Sequence, residues 1–287
     1  MLFRSMLFKK YLQTQQLDPS TSLIVAELKD KVVGCTLADT DRDPRGVLYG
    51  RISNVNVLPE AQGKGIGGAL VEKAIEFLSH LECPSIWASV NPNNEYMIRL
   101  FEHLGFSRML KVMDKTINPQ ESIQMPPEYS NVVYRDMEKE DVKEVMTLIK
   151  ELSDLFEEGF DPYWFDIKIE RDLKSQDAHI FVADEKTKII GSIFAEKIED
   201  PAGNTRGYIS NVMVKRSVRS KGVGTYLILK AMDYLKNLKM PQIWANVKYD
   251  NQALQHLFEK YGFNMKFTVM QKRAKFYDIA FFDSMTK

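Results

Sequence analysis

The chain has 287 residues, 44% of them hydrophobic and 27% charged, with 39 basic side chains against 39 acidic ones and a formal net charge of zero. That length suits two domains better than one core, and the even charge gives no support to a nucleic-acid or anionic-membrane partner. Cys35 and Cys83 make neither a disulfide framework nor a zinc spacing, the four histidines fall at no metal-ligand spacing, and no apolar run nears the roughly 18 residues of a spanning helix, so a cytoplasmic protein without a metal is expected.

The opening MLFRSMLFKKYL is basic and apolar, but its apolar runs are short and no small-residue cleavage site follows, so FRSMLFKKYLQ is read as a helix of the fold and not as a targeting peptide. IVAELKDKVVG and GRISNVNV then read as strands, QGKGIG as a loop, the segment to Leu78 as a helix, PSIWASV as a strand and NNEYMIRLFEH as a helix. TINPQESIQMPPEYS, with Pro119, Pro126 and Pro127, reads as a linker. NVVYRDMEKEDVKEVMTLIKELSDLF follows as a strand and a long amphipathic helix.

After it the pattern repeats. Sliding the chain by 157 positions lays Ser53–Leu78 on Ser210–Leu235 with roughly two in five positions identical, and PSIWASV on PQIWANV, without a gap. HIFVAD, KIIGSIFAEKI, GYISNVMV, QIWANV and FNMKFTVMQ read as strands; Leu227, Ala231, Tyr234, Leu235 and Leu238 mark one buried helix face, and NQALQHLFEKYG another helix. The division expected is 1–117 for an amino-terminal copy lacking the first strand and helix, 118–130 for the linker and 131–287 for a complete copy. The fold class is α/β in the α+β sense: a mixed, mostly antiparallel sheet flanked by helices in each copy.

The loops carry the chemistry. Gln62-Gly63-Lys64-Gly65-Ile66-Gly67 and Arg219-Ser220-Lys221-Gly222-Val223-Gly224 both fit [Q/R]-x-x-G-x-[G/A] between a V-x-V strand and a helix. A strand, a glycine turn and a helix start leave backbone N–H groups converging on one spot, where an anion gains about 0.3–1 kcal/mol per charge and up to roughly 2 when partly buried. No Walker GxxxxGK[ST] loop is present, and Ser220 breaks the dinucleotide GxGxxG pattern.

In this setting the chain resembles the GCN5-related N-acetyltransferases (GNAT family), twice over and along nearly its whole length, including the ending from Asn94 to Phe106 and from Asn251 to Phe263. The resemblance implies an enzyme that moves an acetyl group from acetyl-coenzyme A to a primary amine on a small molecule or peptide, by direct attack in a ternary complex. It implies pyrophosphate binding by the loop amides of Gln62, Gly63, Lys64, Gly65, Ile66, Gly67 and Gly68, and of Arg219, Ser220, Lys221, Gly222, Val223, Gly224 and Thr225. Val55 and Val57, with Val212 and Val214, would pair with the pantetheine arm; Asn94 and Asn251 would face the cofactor, cap a helix, or both.

The departures matter too. Where the family often has a tyrosine seven residues after that Asn, as general acid for the thiolate, this chain has Phe101 and Phe258; Tyr261 and Tyr249 are the substitutes in the second copy, opposite Leu104 and Pro92 in the first. The central strands offer no carboxylate or imidazole to deprotonate an amine, a step costing roughly 4.6 kcal/mol for a lysine-like acceptor at pH 7. A water relay or an acceptor of low pKa is expected. Leu152–Asp166, aromatic and acidic, is either part of the acceptor cleft or an ordinary helix end, and Trp87 and Trp244 are read as core. Catalysis is expected in the second copy, with coenzyme A still bound by the first; a non-catalytic acyl-coenzyme A sensor or scaffold is the alternative.

Overall fold

The computed structural model describes residues 18–42, 47–129, 131–156, 162–199 and 203–273. The amino-terminal helix expected at FRSMLFKKYLQ lies outside them. The described chain forms two compact units.

The first unit holds β1 (Ser22–Leu28), β2 (Lys31–Arg42), β3 (Leu48–Val57), α1 (Ile66–His80), β4 (Ser85–Val90) and α2 (Glu95–His103). Its sheet is closed by β11 (Asn264–Arg273), giving the order β1-β2-β3-β4-β11. All pairs are antiparallel except β3 with β4. Leu70, Val71, Ala74 and Leu78 recur at helical spacing on α1 and are buried against Ile52, Ile86 and Ala88 of the sheet. Among the described residues this unit has nothing outside β1.

The second unit holds β6 (Val132–Asp136), α3 (Val142–Phe156), α4 (Pro162–Lys174), β7 (Ala178–Glu185), β8 (Lys188–Glu199), β9 (Thr205–Val214), α5 (Val223–Asn237), β10 (Gln242–Lys248) and α6 (Gln252–Lys260). Its order is β5-β10-β9-β8-β7-β6, where β5 (Ser107–Thr116) belongs to the amino-terminal half and enters this unit from Val112 onward. Val145, Leu148 and Ile149 of α3 and Phe165 and Ile169 of α4 are buried with Ile180, Val182 and Phe194 of the sheet.

The repeat boundary near 117 and the packing boundary therefore differ: the last strand of the second copy completes the first unit, and the last strand of the first copy reaches into the second. The linker is not a loose tether either. Ile117 donates its N–H to Pro241 O at 3.0 Å, Lys236 Nζ bonds Glu121 O, and Tyr226 Oη donates to Glu128 Oε1 at 2.9 Å, which fastens the segment along α5.

Candidate active site

The central feature in each unit is a parallel strand pair that stops early. β3 pairs with β4 only from Gly50↔Ile86 to Ile52↔Ala88, and β9 with β10 only from Gly207↔Ile243 to Ile209↔Ala245. Beyond that point Ser53–Val57 and Ser210–Val214 run on without this partner, leaving a wedge beside each strand. A bulge is the cause. The register with the preceding strand slips between Cys35 and Leu37, and between Ser192 and Phe194. Asn54 at φ 55° and Asn211 at φ 49° take the left-handed conformation that Asn tolerates better than most residues. An extra residue on one strand bends it away from its neighbour. Gly191 lets this bent strand lie close, since a Cβ there would stand 2.9 Å from Met213 O and 3.1 Å from Leu227 Cδ1.

Each bent strand runs through a single 3-10 turn into the glycine loop. Gly65 (φ 78°) and Gly222 (φ 86°) are the left-handed residues at the starts of α1 and α5, and neither helix has a side-chain cap. The first helical bonds come from Ala69 N to Gly65 O and from Tyr226 N to Gly222 O, so the N–H groups of Ile66, Gly67 and Gly68, and of Val223, Gly224 and Thr225, precede them. A Cβ added at Gly63, Gly65 or Gly222 would meet nothing within 4 Å. The loops thus present open, donor-rich backbone, which fits a diphosphate.

Two of the expected ligands do another job. The N–H groups of Gln62 and Arg219 already donate to Pro59 O and Arg216 O. Their side chains reach back instead: Gln62 Nε2 donates to Val57 O and Arg219 Nε to Val214 O, each at 3.0 Å. They fix the turn, leaving the amides from Gly63 and Ser220 onward for an anion. Ser220 (φ 62°) stands where the first copy has Gly63 (φ 74°). Lys64 Nζ folds back onto Glu60 O at 3.1 Å.

Val55, Val57, Val212 and Val214 are half-buried on the unpaired stretches, and their placement suits backbone pairing with an extended ligand arm. Asn94 and Asn251 are N-caps, with Oδ1 accepting from Met97 N at 3.2 Å and from Leu254 N at 3.1 Å. Phe101 and Phe258 are buried in edge-to-face contact with Phe106 and Phe263, so neither position opens on the wedge. Tyr249 follows β10 directly and is half-buried, at the end toward which the wedge widens. Tyr261 is the C-cap of α6, one turn past Phe258, with Lys260 Nζ 5.8 Å from its ring centre.

The two units differ at the head of the wedge. In the second, Asn246 Nδ2 donates to Tyr208 Oη at 2.6 Å, joining the two strands where they part. In the first, Arg51 stands opposite Tyr208 in the repeat and makes a bidentate pair with buried Asp39, both bonds at 2.8 Å. Ser192, Ser210 and Asn211 are buried at the second bulge, and Ser192 Oγ, Ser210 Oγ and Asn211 Nδ2 find no partner among the described residues; their counterparts Cys35, Ser53 and Asn54 are half-buried or exposed. Tyr208 and Asn246 escaped the sequence reading, although GRISN against GYISN is a sharp difference within a closely matched strand.

Trp87 and Trp244 are half-buried, on the sheet face away from α1 and α5: Trp87 stacks on Tyr49 at 4.2 Å, and Arg206 lies 4.0 Å over Trp244. The strand alternation decides this, since Ile86, Ala88 and Val90 take the α1 side and Ile243, Ala245 and Val247 the α5 side, where all six are buried. Of the aromatic and acidic segment, Phe165 is core and Tyr163 is exposed; residues 157–161 and the side chains of Phe156 and Trp164 lie outside the described set. No helix of the described residues is long and apolar enough to cross a membrane.

The sequence matches the Acetyltransferase (GNAT) family over residues 3–106 and again over 145–263. A mycothiol acetyltransferase of Renibacterium salmoninarum is 30% identical over 101 residues, which are 35% of this chain and 30% of that protein's length. Among solved structures, a GCN5-related N-acetyltransferase from Sphaerobacter thermophilus superposes with a TM-score of 0.63 at 18% identity, covering 92% of this chain and 85% of the other. A tandem GNAT protein from the clavulanic acid biosynthesis pathway gives 0.56 at 17% identity, covering 91% and 85%.

Proposed function

Because the chain belongs to the acetyltransferase (GNAT) family, we propose that it moves an acetyl group from acetyl-coenzyme A to a primary amine of a small molecule or peptide, and that the second unit carries out the transfer. The observation behind this reading is the wedge beside Ser210–Val214, headed by Tyr208 and Asn246 and ending at an uncapped helix start. The thioester supplies an activated acetyl group.

The amides from Ser220 to Thr225 bind the diphosphate, and the edge of β9 at Val212 and Val214 pairs with the pantetheine arm. A backbone N–H aimed at the thioester oxygen is worth about 2.7–4 kcal/mol as negative charge develops there. The acceptor amine attacks directly in its neutral form, with the Tyr208 hydroxyl as a polar neighbour, and the proton it sheds leaves through a water relay, balancing the one given to the departing thiolate. Tyr249 remains the candidate donor of a proton to the departing thiolate, with Tyr261 behind it; a thiol's pKa of about 8.5 makes that proton worth less than it would be for an alkoxide. In the first unit the Arg51–Asp39 pair fills the corresponding face, so this unit binds coenzyme A without using it.

Thiol release from acetyl-coenzyme A across a panel of amines tests this reading, alongside calorimetry. Gly222→Val is expected to abolish turnover and one of two binding sites, and Gly65→Val to remove the other site and leave turnover intact. Turnover that follows Gly65 instead assigns catalysis to the first unit. Tight binding without turnover for any amine favours a non-catalytic acyl-coenzyme A binder, the reading supported by the burial of Phe101 and Phe258.

A further inference from the structure

The second unit's loop has a wall with no counterpart among the described residues at the first unit's loop, and the wall is made by the linker. Tyr129, half-buried, holds its ring 5.3 Å from Lys221 Nζ in the middle of the loop. Its position is fixed from both sides. Val132 N donates to Tyr129 O at 3.1 Å, closing a turn into β6, and the preceding Glu128 accepts from Tyr226 Oη on the first turn of α5. Tyr226 in turn stacks on Tyr134 of β6, with ring centres 3.7 Å apart and planes 19° from parallel. The Glu128 carboxylate is thereby engaged by a phenol of α5. Lys221 is left with an aromatic face as its neighbour, whereas Lys64 in the first unit is tied to its own loop carbonyl.

An aromatic ring and an exposed ammonium beside a diphosphate cradle suit a nucleotide that continues past the diphosphate into a purine and a further phosphate. We infer that Tyr129 and Lys221 form a subsite for the 3′-phosphoadenosine end of the cofactor, with the ring stacking on the base and the ammonium facing the 3′-phosphate. This deepens the proposed function and rests on it. The subsite makes the second unit selective for the coenzyme A thioester over the same acyl group on bare pantetheine, and it gives the linker a role in the cofactor site.

The test uses the full chain carrying Gly65→Val, so that binding reports on the second unit, with coenzyme A, 3′-dephospho-coenzyme A and pantetheine as probes. Tyr129→Ala is expected to weaken both nucleotide probes about tenfold, as loss of one stacked base does, and to leave pantetheine unchanged; Tyr129→Phe restores binding. Lys221→Met is expected to weaken coenzyme A by up to about fivefold, the scale of one exposed charge pair, with no effect on the dephospho form. Unchanged coenzyme A affinity in Tyr129→Ala overturns the subsite, as does an equal loss for all three probes, which would mark a purely structural role. A chain that binds no coenzyme A at all, with or without Gly65→Val, removes the proposed function and this subsite together.

Discussion

Ser220 and Gly222 sit two residues apart in one loop with nearly the same left-handed backbone, at φ 62° and φ 86°. An L side chain there costs roughly 1–2 kcal/mol, partly offset by the greater chain entropy that glycine loses on folding. Ser220→Gly is therefore expected to stabilise the second unit by about 0.5 kcal/mol and Gly222→Ala to destabilise it by about 1 kcal/mol, as read from urea midpoints. Farther along the sheet, Arg135 bonds Asp141 through both carboxylate oxygens, at 2.6 and 2.9 Å, and reaches Asp184. The Arg135 hydrogen bond is the main cause holding the Asp141 carboxyl below its ordinary range. A lowered folded pKa contributes stability that is complete above the unfolded value of about 3.9 and disappears as pH falls through the folded one. Arg135→Met should thus cost about 3 kcal/mol at pH 7, by stranding a buried carboxylate, and should flatten the loss of stability below about pH 4 in a series of denaturant titrations.

At the scale of elements, the bulge on β9 and the glycine that accommodates it act as one device. Gly191→Ala pushes a Cβ against Met213 O, a backbone atom that cannot rotate away. The expected cost is about 1–3 kcal/mol of stability, with a fall in acetylation beyond it because the strand edge at Val212 and Val214 moves; a variant with full turnover would show that the edge does not carry the thioester. The strands, the two principal helices of each repeat and the glycine loops were legible in the sequence, because each rests on local alternation, helical spacing or a left-handed turn. The engagement of the Gln62 and Arg219 amides was not, since it depends on a 3-10 turn that no side-chain pattern announces. Nor was the joining of Tyr208 to Asn246, which depends on a register between strands far apart in the chain. The tryptophans, read as core from their equal places in the two copies, are only half-buried, because alternation along the strand gives the α1 and α5 side to their neighbours.

For the whole molecule, the governing fact is that neither half of the sequence contains a whole unit. β4 pairs with β11 through six residue pairs, from Thr268↔Val90 to Arg273↔Ser85. A fragment of residues 1–129 should leave β4 without that partner, and a fragment of 130–287 should leave β10 without β5. Each expressed alone is expected to aggregate through its bare strand edge, while the two expressed together should co-purify and bind coenzyme A. Soluble, binding-competent single halves in size-exclusion chromatography would contradict this. The duplication was plain in the sequence as a repeat; the exchange of strands was not, because an offset between equivalent segments says nothing about which copy a strand joins.

That exchange also sets a timetable on the ribosome. A nascent chain normally completes its leading domain while the trailing one is still being made, but here the earlier cofactor loop belongs to a sheet whose closing strand is translated about 200 residues after it. Until Asn264–Arg273 emerge, β4 offers an unmatched ladder of N–H and C=O groups to whatever comes near, so the half synthesised first depends longest on chaperone protection.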